Sequence, residues 1–328
     1  MFFYRIDLGS TMTTFETTGS NVLHMQKDLF IPGNILYSEP RSLKTTDGGS
    51  NRLIVGEPGH FGYSEGVGIN AYFKWIASFV QLNRTLLVVV DETNHCLRLV
   101  DRVTSETTRL LGTCTSSGFT NGTNAKFNLP TSLVFDVKTS KQLLLLDRNN
   151  RALRAINMTV WSVKTLFVFN TSTTWLRSVV QQENGNLFIS CESGILGYDY
   201  ETQAVSLIAG SPDQSGFRDG SLLDARFNAP REILILSTTK LLLVDVVDHR
   251  LRLLDIGWDR TFSICTGINL NQNGNSSNCG VAFPRSLLAL ENVIYIGGQR
   301  TIRSVQGKSK TNAWSKFSLH CGGGGGYH

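Results

Sequence analysis

Leu143-Leu144-Leu145-Leu146-Asp147-Arg148-Asn149-Asn150-Arg151-Ala152-Leu153-Arg154-Ala155-Ile156-Asn157 joins two apolar runs through a polar turn, with an Asp closing the first run and an Arg seven positions after it. The same design stands at 86–101, around Asp91 and Arg98, and at 241–255, around Asp245 and Arg252. Each run is four to six residues long and bounded by Asn, Asp, Gly or Ser. That is too short for a helix, so each reads as a strand and each pair as a hairpin. The runs are apolar at successive positions instead of alternating, the pattern of a strand covered on both faces.

A second block precedes two of these hairpins. Gly118-Phe119-Thr120-Asn121-Gly122 leads to Ala125-Lys126-Phe127-Asn128-Leu129-Pro130, and Gly216-Phe217-Arg218-Asp219-Gly220 leads to Ala225-Arg226-Phe227-Asn228-Ala229-Pro230. A looser copy runs from 62 to 73, and an eroded one ends at Ala282-Phe283-Pro284. Aligned on Arg98, the chain gives Lys44, Arg98, Arg154, Gly197, Arg252 and Arg303, at intervals of 54, 56, 43, 55 and 51 residues. A period of this size fixes the architecture before any local reading.

Each unit holds about four short strands, in one case 133–136, 143–147, 152–157 and 164–169, which make one four-stranded antiparallel sheet. Such sheets stacked around an axis cover one another on both faces. The expected fold is all-β, a six-bladed β-propeller of four-stranded antiparallel blades over 21–321, with a partial blade or closing strands at 1–20 and a flexible Gly-rich tail at 322–328. A seven-bladed or incomplete ring is the alternative. Residues 3–7 resemble a third strand and 14–18 a fourth, while 314–319 compete for the place of the last outer strand.

Asn94-His95 with Leu97, and Asp248-His249 with Leu251, resemble the Asn-His-Leu signature of NHL repeats, and the Ala-x-Phe-Asn-x-Pro block is similar to the segment that opens them. The resemblance covers roughly 53–305. It is weak around Gly197, where both Asp and Arg are lost, and before residue 53. Asn-His-Cys-Leu-Arg followed by Gly-x-Cys is similar in particular to NHL repeats of extracellular invertebrate and protist proteins. The resemblance implies a propeller, usually six-bladed.

Composition suits a packed, turn-rich fold: 41% hydrophobic and 17% charged residues, 31 Gly against 7 Pro. A net charge of +5 from 31 basic and 26 acidic residues is spread without a basic run, so nucleic acid is not called for. The longest apolar stretches are strand-sized and no segment reads as membrane-spanning. The first twenty residues show no secretory signal pattern, and the sequence reads as a fragment of a longer chain.

The six Cys lack metal-type spacing. A hairpin turning around residue 105 sets Cys96 opposite Cys114, within disulfide reach. A second bond between Cys265 and Cys279 would close an Asn/Gly/Ser-rich loop, and Cys191 and Cys321 are left unassigned. Disulfides place the chain outside the cell or in a luminal compartment. Asn-x-Ser/Thr triplets are about as frequent as chance expects; Asn83 and Asn275, in turn-like surroundings, are the glycosylation candidates.

His95 and His249 occupy equivalent repeat positions and read as structural, as do Asp91, Asp147 and Asp245 with Arg98, Arg154 and Arg252. The competing reading has the three Asp converge on a central channel around a metal. No catalytic set, phosphate loop or zinc motif is visible, so no enzyme activity and no cofactor are called for. The expected function is an extracellular scaffold that binds a protein or glycan. A metal-dependent lyase or hydrolase of the six-bladed group is the first alternative, and an RNA-binding NHL domain the second.

Overall fold

The computed structural model describes residues 4–5, 13–170, 175–211, 213–264, 282–291, 293–306 and 320–321. They form six four-stranded antiparallel sheets in chain order. Blade I comprises His24–Lys27, Ile35–Glu39, Ser42–Thr46 and Asn51–Val55. Blade II comprises Ile76–Gln81, Leu86–Asp91, Cys96–Asp101 and Glu106–Leu111, with the short strand Gly66–Val67 added at its outer edge. Blade III comprises Pro130–Phe135, Gln142–Asp147, Ala152–Asn157 and Ser162–Val168. Blade IV comprises Ser178–Gln181, Leu187–Ser190, Gly194–Tyr198 and Val205–Gly210, and blade V Pro230–Ser237, Lys240–Asp245, Arg250–Asp255 and Arg260–Ile264.

Blade VI closes the ring. Ser286–Leu290, Val293–Gly297 and Gln299–Gln306 are its inner three strands, and Thr13–Asn21 pairs antiparallel with Gln299–Gln306 as the outermost. The ring therefore has six blades, not seven. Tyr4–Arg5 pairs with His320–Cys321 and is not the third strand of a further blade. The competing segment 314–319 lies outside the described residues.

The apolar runs are explained by burial on both sides. Leu143 and Leu145 pack with blade II residues such as Val88, Val90 and Leu97, whereas Leu144 and Leu146 pack with Val179, Leu187 and Ile189 of blade IV. Leu87 and Val89, and Leu241 and Leu243, face one neighbour in the same way while the intervening residues face the other. Every junction between adjacent blades has its own apolar cluster, including Val22 and Ile302 of blade VI against Met25, Ile35 and Tyr37 of blade I. Because each second strand serves two clusters, a period-two pattern of polarity is excluded there. Among the described residues no helix is long and apolar enough to cross a membrane.

The sequence alignment holds in five blades and slips in one. Ile195 pairs with Ala209 and Leu196 with Leu207 across a bulge, as Leu97 with Leu111 and Arg98 with Arg109 do in blade II. Leu196, not Gly197, thus takes the Arg position of blade IV. The turn before it is shorter, which shifts the register by one residue, and Cys191 takes the Asp position.

Candidate functional site

The arginines of the repeat lie inside the blades. Arg98, Arg154 and Arg252 and their partners Asp91, Asp147 and Asp245 are each fully buried. Arg154 donates to Asp147 Oδ2 (2.7 Å) and to the Thr120 carbonyl (2.6 Å), and its guanidinium is sandwiched between the rings of Phe119 and Phe127 at 4.8 and 5.5 Å. Arg252 repeats this with Asp245 (3.2 Å), the Arg218 carbonyl (2.8 Å), Phe217 and Phe227. Arg98 does so with Asp91 (3.4 Å), the Ser64 carbonyl (2.8 Å), Tyr63 and Phe73. The Gly-Phe and Ala-x-Phe-Asn blocks are therefore the wrapping of an ion pair. The second oxygen of each Asp accepts a backbone N–H two residues before the inner strand: Lys74 for Asp91 (3.2 Å), Asn128 for Asp147 (2.7 Å) and Asn228 for Asp245 (2.8 Å). These carboxylates are spent within their own blades and do not converge on the channel.

Blade I carries a variant that sequence reasoning missed. Glu39 closes the second strand, pairs with Lys44 at 2.8 Å, and accepts from the Gly19 and Ser20 N–H groups of the closing strand. The signal was present: an acid ends the run Ile35-Leu36-Tyr37-Ser38, but two residues nearer its cation than in the other repeats.

Burial dominates the electrostatics of the three Asp. It pushes Asp91 and Asp147 up to about 6 and Asp245 up to about 7, against the opposing pull of their Arg partners. The difference has a residue-level cause. Asn94 and Asn150 donate to the Asp three positions earlier at 2.8 Å, and each also reaches a carbonyl, of Gly62 and Gly118. Blade V has Asp248 there, whose charge raises Asp245 and whose Oδ2 is buried without a hydrogen-bond partner. Asp248→Asn replaces that repulsion by a donor, and the expected gain is about 2 kcal/mol at pH 8. A carboxyl with a pKa higher in the fold than in the unfolded chain loses stability as pH climbs from about 4 through its folded pKa. The advantage of the variant accordingly shrinks toward pH 4, and urea titrations of both proteins across this range check it. A gain of the same size at every pH would sink the explanation.

His95 and His249 clip adjacent blades together. His95 Nδ1 accepts from the Leu129 N–H (3.1 Å) and His249 Nδ1 from the Phe283 N–H (2.9 Å), each donor preceding a proline at the entry to the next blade. Leu129 and Phe283 have φ of +53° and +45°, and the accepted bonds help hold them there. Burial lowers the pKa of both imidazoles, keeping the accepting nitrogen unprotonated.

A disulfide joins Cys96 to Cys114, with Cα atoms 5.1 Å apart. The hairpin that leads to it turns between 103 and 104, since Val100 pairs with Thr107, and not around 105. Two backbone features beyond the turn bring the cysteines together. The Leu97/Arg98 bulge shifts the register, and Gly112, at φ +88°, turns so close to Cys96 that a Cβ would lie 2.8 Å from the His95 carbonyl. Thr115 N–H then donates to the Asn94 carbonyl at 2.8 Å. Cys191 is a buried free thiol, while Cys265, Cys279 and Asn275 lie outside the described residues. Asn83 is exposed at a hairpin tip, its Oδ1 accepting the N–H groups of Thr85 and Leu86.

One face of the ring gathers the blade-to-blade connections and the turns between second and third strands. Each of the five connections from blade I through blade VI exposes an aromatic ring there: Phe61, Phe119, Trp175, Phe217 and Phe283, 39–66% exposed. Arginines stack beneath or beside them, including Arg41 under Phe61, Arg148 and Arg177 by Trp175, and Arg250 at 4.0 Å from the Phe217 centroid. The channel opens at the centre of this face, lined by Leu23, Ala77, Thr131, Arg177 and Arg231 and the residue following each. Trp258 is exposed on the opposite face, beside Lys240. Among the described residues no three His, Cys, Asp or Glu side chains are grouped so as to hold a metal ion.

No family model matches the chain. Over 143 residues, 40% of the chain, it is 32% identical to NHL repeat-containing protein 2 of Homo sapiens, and over 140 residues 30% identical to the Bos taurus protein of that name. The chain spans about a fifth of the length of these curated relatives, 19% in each case. Among solved structures it is similar to an auxiliary nutrient binding protein from Bacteroides thetaiotaomicron, with a TM-score of 0.68 at 13% identity, covering 90% of this chain and 75% of that one. It is also similar to the extracellular domain of a hybrid two-component system from the same bacterium, with a TM-score of 0.57 at 13% identity over 91% of this chain and 40% of that one. At such identities the likeness is one of fold.

Proposed function

From a chain that is an NHL-repeat β-propeller of six four-stranded blades, we propose a binding scaffold that works outside the cell and takes a protein or glycan on its aromatic face. The observation that carries this reading is the exposed ring in each of the five blade-to-blade connections, held over a rigid frame. Exposed aromatics beside arginines are the residue types that anchor interfaces, and they stack on sugar rings equally well. The Asp and Arg side chains that first suggest chemistry are consumed in holding the blades.

An oxidising compartment suits the Cys96–Cys114 bond, and the exposed Asn83 fits glycosylation. Among proteins of similar fold, one is described as nutrient binding and another as an extracellular domain, which agrees with this use of the ring.

Probing the immobilised chain with arrays of glycans and of extracellular proteins tests the reading. A retained ligand that loses about tenfold in affinity on Trp175→Ala or Phe217→Ala, about 1.4 kcal/mol, is expected. Retention untouched by both truncations would move the site elsewhere. Stoichiometric metal in the purified chain would favour a lyase or hydrolase instead, and single-stranded RNA binding that survives about 200 mM salt would favour the nucleic-acid reading.

A further inference from the structure

We propose that the mouth of the central channel binds a multivalent anion, carboxylate or phosphate, through Arg177, Arg231 and Arg285. The three occupy one structural position in blades IV, V and VI, the residue at the entry of the innermost strand. Arg177 N–H and Arg285 N–H donate to the carbonyls of Ser190 and Gly297 at the ends of their second strands, as Leu23 N–H donates to Ser38 in blade I. Blades I, II and III place Leu23, Ala77 and Thr131 at this point of the channel lining. The frame accepts an alanine there, so it does not need the arginines, and their grouping in three consecutive blades makes one side of the mouth basic.

Their partnering differs from that of the blade arginines. Arg98, Arg154 and Arg252 each hold an Asp, whereas none of the three at the mouth donates a side-chain hydrogen bond or forms an ion pair among the described residues. The Nε atoms of Arg177 and Arg285 are buried without a hydrogen-bond partner, as are those of the blade arginines, so the contrast lies in the missing ion pair. The carboxylates within electrostatic reach are Glu92, Glu192 and Glu232. Glu92 is engaged by Arg148 at 2.7 Å and Glu232 faces His24 at 3.5 Å. Burial, and then the charge of Arg231, push Arg177 and Arg285 down to about 10, with smaller contributions from Arg148 on Arg177 and from Arg177 on Arg285.

Like charges crowded at a partly desolvated mouth cost stability unless an anion sits between them, and a cleft lined by one sign of charge concentrates counter-ions. Guanidinium forks match carboxylate and phosphate oxygens two at a time. This site stands independently of what the aromatic face binds.

Calorimetric titration of the chain with citrate and with inorganic phosphate, at about 150 mM ionic strength, separates the two sources of the chemistry. Saturable one-site binding of at least one anion in the millimolar range or tighter is expected, weakened at least about tenfold by Arg231→Met and by Arg285→Gln. Without anion, Arg231→Met is expected to raise Tm by about 2–4 °C, because it relieves repulsion. Arg260→Gln, at an exposed blade V position, leaves both readouts unchanged. Absence of binding by both anions, undiminished binding in both variants, or a lower Tm or failed folding for Arg231→Met, which would make that arginine part of the frame, each overturns the proposal.

Discussion

Arg154→Met lowers the stability of the ring by about 3–5 kcal/mol, the range for removing one member of a buried ion pair. The guanidinium is fully buried, and its loss strands the Asp147 carboxylate, the Thr120 carbonyl and the space between Phe119 and Phe127. Blade IV shows what replaces the pair when both members go: Cys191 and Leu196 stand in the two positions and join the apolar cluster shared with blade III. Asp147→Cys combined with Arg154→Leu therefore recovers at least half of the single-variant loss, even though the Asn128 N–H loses its acceptor. Urea unfolding of the wild type, the single and the double variant measures both numbers. A single variant within about 1 kcal/mol of wild type would show that the Asp does not depend on its Arg.

Cutting the Cys96–Cys114 link is the second large effect. The bond spans 18 residues of sequence, and releasing it costs about 3 kcal/mol in the chain-entropy model. Cys96→Ser and mild reduction of the wild type should give the same lowered unfolding midpoint, and reduction should leave the variant unchanged. Unequal midpoints would show that the thiol's packing, not the link, carries the difference. A non-reducing peptide map checks that the bond is present in the purified protein.

The propeller was legible because burial on two sides writes itself into consecutive positions, and because the run at Leu143 through Leu146 returns at Leu86 and Leu241 within a period near fifty residues. The Asp–Arg spacing of seven was legible for the same reason, as a local contact across one hairpin. What escaped reading depends on contacts between distant segments. Glu39 binds the N–H groups of Gly19 and Ser20 across the ring's closure, and nothing near residue 39 announces that partner. The slip at Gly197 came from a turn whose length the alignment did not track. The row Arg177, Arg231, Arg285 was hidden because the residues at the entry of the inner strands differ from blade to blade, and only their shared place in the fold relates them.

The way blade VI is shut also sets how the ring meets tension. Thr13 lies opposite Ser304 and Asn21 opposite Gln299, so the chain before residue 13 and the chain after 306 leave from the same corner of that sheet. A pull on both flanks opens the seam like a zipper, loading the hydrogen bonds one after another instead of all together. Blades II, III and V, laced by Arg154 and its counterparts, carry the load only afterwards, so the circle yields first at its seam in blade VI.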